Sequence, residues 1–266
     1  MKLAMTKDCP IKSIHSSQSD HEIRSCIEYA EHKAEHENLV DGGDPKETQR
    51  LKTLMGFVDG QTTNPSLISK NPAIQAQVAS GHKLSLEEQT QEYKKIVQTI
   101  SPLVGDAGVS IEVFSDLKTS AEQMFAQGQD MFTWIPNAYI KYPCTHEGLR
   151  AAQRSVGQGM RVNITLCFSQ EQAAAVYAAT KGTKEPAYVS PFVGRLDDQG
   201  ENGIDLLKNI KQMYVQGDGH VSVLGASIRT VPQLLACFSL GMPSTRTTSI
   251  FFNFIALKDA SLSGAF

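Results

Sequence analysis

A lysine at position 141 stands in a strand-like apolar run, after Ala138-Tyr139-Ile140 and just ahead of Pro143. Its chemistry depends on the free amine. With a reference pKa near 10.4, only about one lysine in two thousand is neutral at pH 7, but burial can lower that pKa by about 3 units or more. A desolvated lysine is therefore a candidate Schiff-base nucleophile toward a carbonyl. Other polar residues keep the same alternation. In Arg161-Val162-Asn163-Ile164-Thr165-Leu166, Asn163 and Thr165 oppose the apolar Val162, Ile164 and Leu166. Glu112 opposes Ile111 and Val113, Lys141 opposes Ile140, and Ser190 opposes Val189. Alternate side chains of a barrel strand point inward while the others pack under helices, so four strands offer polar groups to one lumen. Polar groups buried without partners cost about 1 to 3 kcal/mol each. Such a set needs either mutual hydrogen bonds or a wet functional site, and in barrels that site is the C-terminal mouth.

The elements that must position these residues follow from short apolar runs alternating with helical patterns. Strands are predicted at residues 38–41, 56–60, 109–114, 138–142, 161–168, 187–192 and 221–225, and helices include 86–103, 169–180 and 204–215. Repeated strand-helix alternation implies a parallel sheet. An eighth strand is needed to close it, and 247–257, with Phe251-Phe252-Asn253-Phe254-Ile255, supplies the candidate. The predicted class is α/β, a (β/α)8 TIM barrel spanning one domain over residues 1–266. Residues 1–36 form its helical extension, with Ser19 and Glu22 spaced as a capping box. His32 and His36 lie one helical turn apart there, but without a third ligand they read as a solvated face rather than a metal site.

Composition limits the function. The chain has 266 residues, 41% of them hydrophobic and 20% charged, which suits one barrel. A net charge of -3 without Lys/Arg blocks argues against nucleic-acid and membrane-surface binding. The N-terminus carries no apolar stretch of secretory length, so a cytoplasmic location is expected. Cys9, Cys26, Cys144, Cys167 and Cys237 are odd in number and scattered without CxxC spacing, so they read as reduced thiols. A small-molecule partner is expected.

Local sequences then become specific. Asp59-Gly60-Gln61-Thr62-Thr63-Asn64-Pro65-Ser66-Leu67-Ile68 closely resembles the TTNPS segment of transaldolases. Ile140-Lys141-Tyr142-Pro143-Cys144-Thr145-His146-Glu147-Gly148 resembles the segment carrying their Schiff-base lysine. Asn163 to Ser169, Ser190 to Arg195 and Gly225 to Arg229 are similar to further blocks in the family order. The resemblance covers about residues 38 to 241.

It implies transfer of a dihydroxyacetone unit from a ketose phosphate such as sedoheptulose 7-phosphate to glyceraldehyde 3-phosphate, a step of the non-oxidative pentose phosphate pathway, with no cofactor or metal. Carried over residue by residue, Lys141 attacks the ketone, Glu112 and Thr165 handle protons through a water, and Asp41 is the acid/base for carbon-carbon cleavage. Asp59 is its local rival, although a turn before Gly60 explains that residue more simply. Thr63, Asn64, Asn163 and Ser190 fall to the substrate hydroxyls, and Arg195 and Arg229 to phosphate. Two alternatives stay open: a fructose 6-phosphate aldolase-like lyase, against which Glu112 and Phe192 speak because that branch typically has Gln and Tyr, and a sugar-phosphate-binding barrel without turnover. After Gly241 the resemblance stops, and Met242 to Thr248 replaces the family's strand and final helix. An unclosed sheet would expose two strand edges and self-associate, and homo-oligomers of several sizes remain open.

Overall fold

The computed structural model describes residues 37–81, 83–242 and 244–248. The helix expected within 1–36 and all of the expected eighth strand beyond Thr248 lie outside the described residues.

Seven parallel strands run in chain order, each hydrogen-bonded to the next: β1 Glu37–Asp41, β2 Gln61–Thr62, β3 Val109–Glu112, β4 Ala138–Pro143, β5 Val162–Cys167, β6 Ala187–Pro191 and β7 Val221–Ile228. The result is a curled α/β sheet of the TIM-barrel-like kind. Ser244–Thr248, β8, pairs in parallel with both β7 and β1, bringing the two sheet edges together, and no helix follows it among the described residues. The edge-exposed sheet considered from sequence is thus replaced by pairing a few residues earlier than 247–257.

The predicted strand at 56–60 is corrected. Gly56 ends helix Pro45–Met55 in the left-handed region (φ 77), with its N–H bonded to the Lys52 carbonyl at 2.9 Å. The strand starts at Gln61, and Gly60 before it (φ 146) passes so close to Leu39 and the Gly108 carbonyl that a Cβ there would meet both at 3.0 Å. A glycine that stops a helix and one that admits a neighbour look the same in sequence.

Helix limits follow their caps. Leu86–Val104 starts at a Ser85/Glu88 capping box, Gln170–Ala179 at Ser169 and Gly203–Val215 at Asn202, within a residue or so of the predicted bounds. Outward-facing Val109, Ile111, Ile140, Val162, Ile164 and Val189 are fully buried beneath the helices, each worth about 1.5 to 3 kcal/mol of apolar burial.

One strand is held with special tightness. Tyr142 donates to Ser155 Oγ at 2.9 Å, since that hydroxyl's own proton goes to the Ala151 carbonyl, and burial pushes the phenol up to about 12. Its oxygen takes the space a Cβ on Gly128 would need, 1.9 Å away, so helix Ala121–Phe132 closes directly on β4. With Ile140 and Tyr142 locked outward, the residue between them must face the lumen.

Just before β7, at the opposite end of that strand, lies a polar cluster. Tyr177 donates to Asp218 at 2.7 Å, and the His220 ring bonds the same carboxylate. These bonds, that of His220 first, hold Asp218 well below the usual carboxylate range. A depressed carboxylate contributes stability above its unfolded pKa and loses it as pH falls through the folded value. Asp218→Asn is therefore expected to lower the urea midpoint near about pH 6, with the gap to wild type shrinking progressively below about pH 4. A gap that stays constant with pH would show that the ionised carboxylate is not what matters.

Candidate active site

The lumen is built in layers set by the strand register. Tyr139 and Tyr188 form the lowest, their rings 5.1 Å apart. Above them Asn163 donates to Ser110 Oγ at 3.0 Å and accepts from Ser190 Oγ at 2.8 Å, all three buried. The top layer holds Glu112 and Lys141, direct neighbours across β3 and β4, with Thr165 opposite Pro143 on β5.

Lys141 is 1% exposed, and its Nζ lies 2.8 Å from Glu112 Oε2 and 3.3 Å from the Thr63 carbonyl. Glu112, at 17% exposure, opens onto the cavity above. A relay of hydroxyls fixes this corner. Thr63 Oγ1 gives its proton to the Ser110 carbonyl at 2.7 Å, so Tyr93 donates to Thr63 at 2.6 Å and accepts from the Glu112 amide at 2.9 Å. Burial pushes the Tyr93 phenol far above its ordinary range, keeping it a donor. Neither Tyr93 nor Ser110 was singled out from sequence. Tyr93 belongs to the apolar face of a helix remote in the chain, and nothing local marks it as a partner of the lumen.

Over this floor lies a cavity of about 870 Å³, at the C-terminal ends of the strands. Asp41, Asn64, Glu112, Lys141, Thr165, Arg195 and Arg229 line it together, joining seven of the ten residues singled out from sequence. Thr63, Asn163 and Ser190 do not line it; they lie beneath, in the hydrogen-bonded layer. Asp41 accepts from Thr62 Oγ1 at 2.6 Å at the mouth, while Asp59 precedes β2 and so belongs to the opposite end of the sheet. Asn64 Oδ1 caps the turn Pro65–Ile68 through the Leu67 amide at 2.9 Å, which leaves its NH₂ for the cavity. Arg195 lies over the Phe192 ring, 5.3 Å from its centroid, and Arg229 forms an ion pair with Asp198 at 2.6 and 2.5 Å.

Two features set the mouth apart from the rest of the lumen. Thr165 Oγ1 is a buried side-chain polar atom with no hydrogen-bond partner among the described residues, beside Lys141 and Glu112. Leu166 (φ 61) and Ser227 (φ 57) both line the cavity in the left-handed region, where side chains are strained. Each falls where the pairing register shifts, between Ile164 and Cys167 and between Gly225 and Ile228. Such bulges re-aim strand ends.

Cys144 and Cys167 are buried and do not line the cavity. The Cys144 thiol is pushed up by its hydrogen bond to Cys167 and by burial, as a packing residue should be. Among the described residues no group of three His, Cys, Asp or Glu could hold a metal, and no helix is long and apolar enough to cross a membrane.

A protein-family model described as transaldolase/fructose-6-phosphate aldolase matches residues 39–256. Curated relatives include a probable transaldolase of Brucella ovis, 40% identical over 193 residues, which is 73% of this chain and 76% of the relative. Others are probable transaldolases of Parabacteroides distasonis, 37% identical with 70% and 75% covered, and of Dehalococcoides mccartyi, 36% identical with 66% and 69% covered.

The layers make separable predictions for stability. Asn163→Ala strips the partner from two buried hydroxyls and should cost about 1 to 3 kcal/mol in urea denaturation. Thr165→Val removes an unpaired hydroxyl at nearly constant shape and should leave stability equal or raise it by up to about 1 kcal/mol. A Thr165→Val protein as destabilised as Asn163→Ala would mean that the hydroxyl supports the fold.

Proposed function

The chain belongs to the transaldolase/fructose-6-phosphate aldolase family, and from that premise we propose that it is a transaldolase that moves a dihydroxyacetone unit between sugar phosphates through a Schiff base on Lys141. The observation that carries this reading is a buried lysine amine 2.8 Å from a carboxylate, at the floor of a cavity rimmed by arginines.

The steps follow from where the groups stand. Glu112 takes a proton from Nζ, which attacks the ketone carbon and gives a carbinolamine. Loss of its hydroxyl as water needs a proton delivered nearby, and Glu112 returns it, with the unpaired Thr165 hydroxyl available to hold the water. In the resulting iminium, Asp41 removes the proton of the hydroxyl beside the bond to be broken. That carbon-carbon bond breaks, its electron pair moves toward the iminium nitrogen, an aldose phosphate leaves, and an enamine remains on Lys141. Addition of the enamine to the acceptor aldehyde and hydrolysis of the new iminium complete the transfer. Asn64 meets the substrate hydroxyls, Asn163 and Ser190 support the donor end from below, and Arg195 and Arg229 take the phosphate.

Three further expectations belong to this reading. Pairing of Ser244–Thr248 with both β7 and β1 supports a complete (β/α)8 barrel. Sugar phosphates are the partners rather than nucleic acid or membrane, and the setting is the cytoplasmic pentose phosphate pathway. The lyase alternative keeps the same Schiff base but releases the enamine by protonation instead of passing it on.

Incubation with fructose 6-phosphate followed by borohydride should fix a covalent adduct on Lys141, mapped by mass spectrometry, and Lys141→Met should abolish it. Absence of label on folded wild type would leave a binding barrel without turnover. Glu112→Gln should lower kcat by about 10² to 10⁴. Turnover of fructose 6-phosphate should require erythrose 4-phosphate; equal turnover without it would establish the lyase.

A further inference from the structure

The backbone ladder between β2 and β3 is diverted at one point, and that point lies beside Lys141. The two strands pair with Gln61 opposite Val109 and Thr62 opposite Ser110. The Gln61 N–H donates to the Gly108 carbonyl at 3.0 Å and the Thr63 N–H to the Ser110 carbonyl at 2.9 Å. Parallel pairs space their bonds evenly, so the next bond of this series would run from the Glu112 N–H to the Thr63 carbonyl. The Glu112 N–H instead donates to the Tyr93 hydroxyl at 2.9 Å, and the Thr63 carbonyl accepts from Lys141 Nζ at 3.3 Å.

The phenol is built into this place. Its ring meets Phe114 and Trp134 edge-on, with centroids 6.1 and 6.0 Å away, and the side chain is fully buried. Its proton is committed to Thr63 Oγ1 at 2.6 Å, because that hydroxyl gives its own proton to the Ser110 carbonyl. The phenol oxygen is thereby left to accept from the Glu112 amide. Tyr93 does not line the cavity, so it has no contact with a substrate bound there, and its influence on the chemistry runs through the Thr63 carbonyl. A lysine amine sits on a flexible four-carbon stem, and Glu112 alone would fix only its distance from one atom. Acceptors on two separate segments, Glu112 and Thr63, fix where it stands. We propose that Tyr93 is a positioning residue for Lys141, whose hydroxyl draws the Glu112 amide out of the ladder and so leaves the Thr63 carbonyl to hold the amine. The proposal rests on the Schiff-base reading above and adds to it the residue that aims the nucleophile.

The test compares Tyr93→Phe with Tyr214→Phe in the full chain. Tyr214 is also buried, and its hydroxyl donates to the Ala173 carbonyl at 2.7 Å, away from the cavity, so each variant loses a buried phenol bond. Y214F should melt below wild type and keep its kcat. Y93F should melt in the same range, because its Glu112 amide can turn to the Thr63 carbonyl. Its kcat with fructose 6-phosphate and erythrose 4-phosphate, and its rate of borohydride trapping on Lys141, should fall about tenfold to a hundredfold, as expected for a misplaced nucleophile. Its KM and its Kd for inorganic phosphate should stay within about threefold of wild type. A crystal structure of Y93F should show the Glu112 N–H on the Thr63 carbonyl and Nζ off it. Wild-type kcat in folded Y93F would overturn the proposal while leaving the Schiff-base reading intact, as would a Y93F structure with Nζ still on that carbonyl. Should Y93F not fold, Thr63→Val, which removes the acceptor that fixes the phenol, carries the test: its kcat should fall in the same direction, and an unchanged kcat would overturn the proposal. Folded wild type that gives no label on Lys141 would overturn both readings.

Discussion

Everything at the mouth of this sheet depends on one contact, the 2.8 Å approach of Lys141 Nζ to Glu112 Oε2 in a lumen closed to solvent on the lysine side. An isolated buried charge would cost several kcal/mol. Here the two charges compensate each other, so the buried pair carries no net charge. On the proposed reading, a proton passed from Nζ to Glu112 leaves an amine facing the carbonyl and no uncompensated ion. The Thr63 carbonyl takes up another of the amine's donors, and the Tyr93 relay fixes both Thr63 and the Glu112 amide. The nucleophile is thus held by backbone and hydroxyl groups that do not titrate near neutrality.

That contact is available only because the neighbouring layers are already satisfied. Ser110, Asn163 and Ser190 pair among themselves, so the lumen beneath Lys141 is polar and yet settled. The partnerless hydroxyl of Thr165 lies one step higher, where the cavity begins. A boundary between satisfied and unsatisfied polar groups is a physical marker of where structure ends and ligand chemistry starts. The left-handed backbone at Leu166 and Ser227 lies on the same boundary, at the two register shifts that turn strand ends toward the mouth. Strain of this kind persists only where surrounding packing over-determines it.

What could be read from the sequence was whatever depends on alternation along a strand. The inward parity of Glu112, Lys141, Asn163, Thr165 and Ser190 is a property of single strands, and the structure brings these residues to one lumen. Helix starts were legible because a serine, threonine or asparagine cap acts within three residues. Two things could not be read this way. The role of Gly56 as a helix stop rather than a strand start depends on what its neighbours touch. Tyr93 and Ser110 enter the site through contacts between elements distant in sequence. The expected end of the family likeness at Gly241 is corrected by a family match that runs to residue 256, and within it Ser244–Thr248 pair with both β7 and β1.

On the proposed Schiff-base reading, the same geometry bears on whether an enamine is passed on or discarded. An enamine on Lys141 can take a proton, which ends the cycle as a lyase, or an aldehyde, which completes a transfer. Protonation needs an acid free to approach the nucleophilic carbon. Of the two carboxyl groups that line the cavity, Glu112 is held against Lys141 and Asp41 against the Thr62 hydroxyl. On the β6 side, Phe192 offers a phenyl face, stacked edge-on against Phe168 and covered by Arg195, where a tyrosine would bring a hydroxyl. A wall of ring carbon on that side removes one proton source from the surroundings of such an enamine, leaving the proton that Asp41 has taken as the one that must be kept from its nucleophilic carbon. On the same reading, the arginines at this mouth would draw a charged aldehyde in faster than an uncharged one while the enamine waits, a competition that would favour transfer over release.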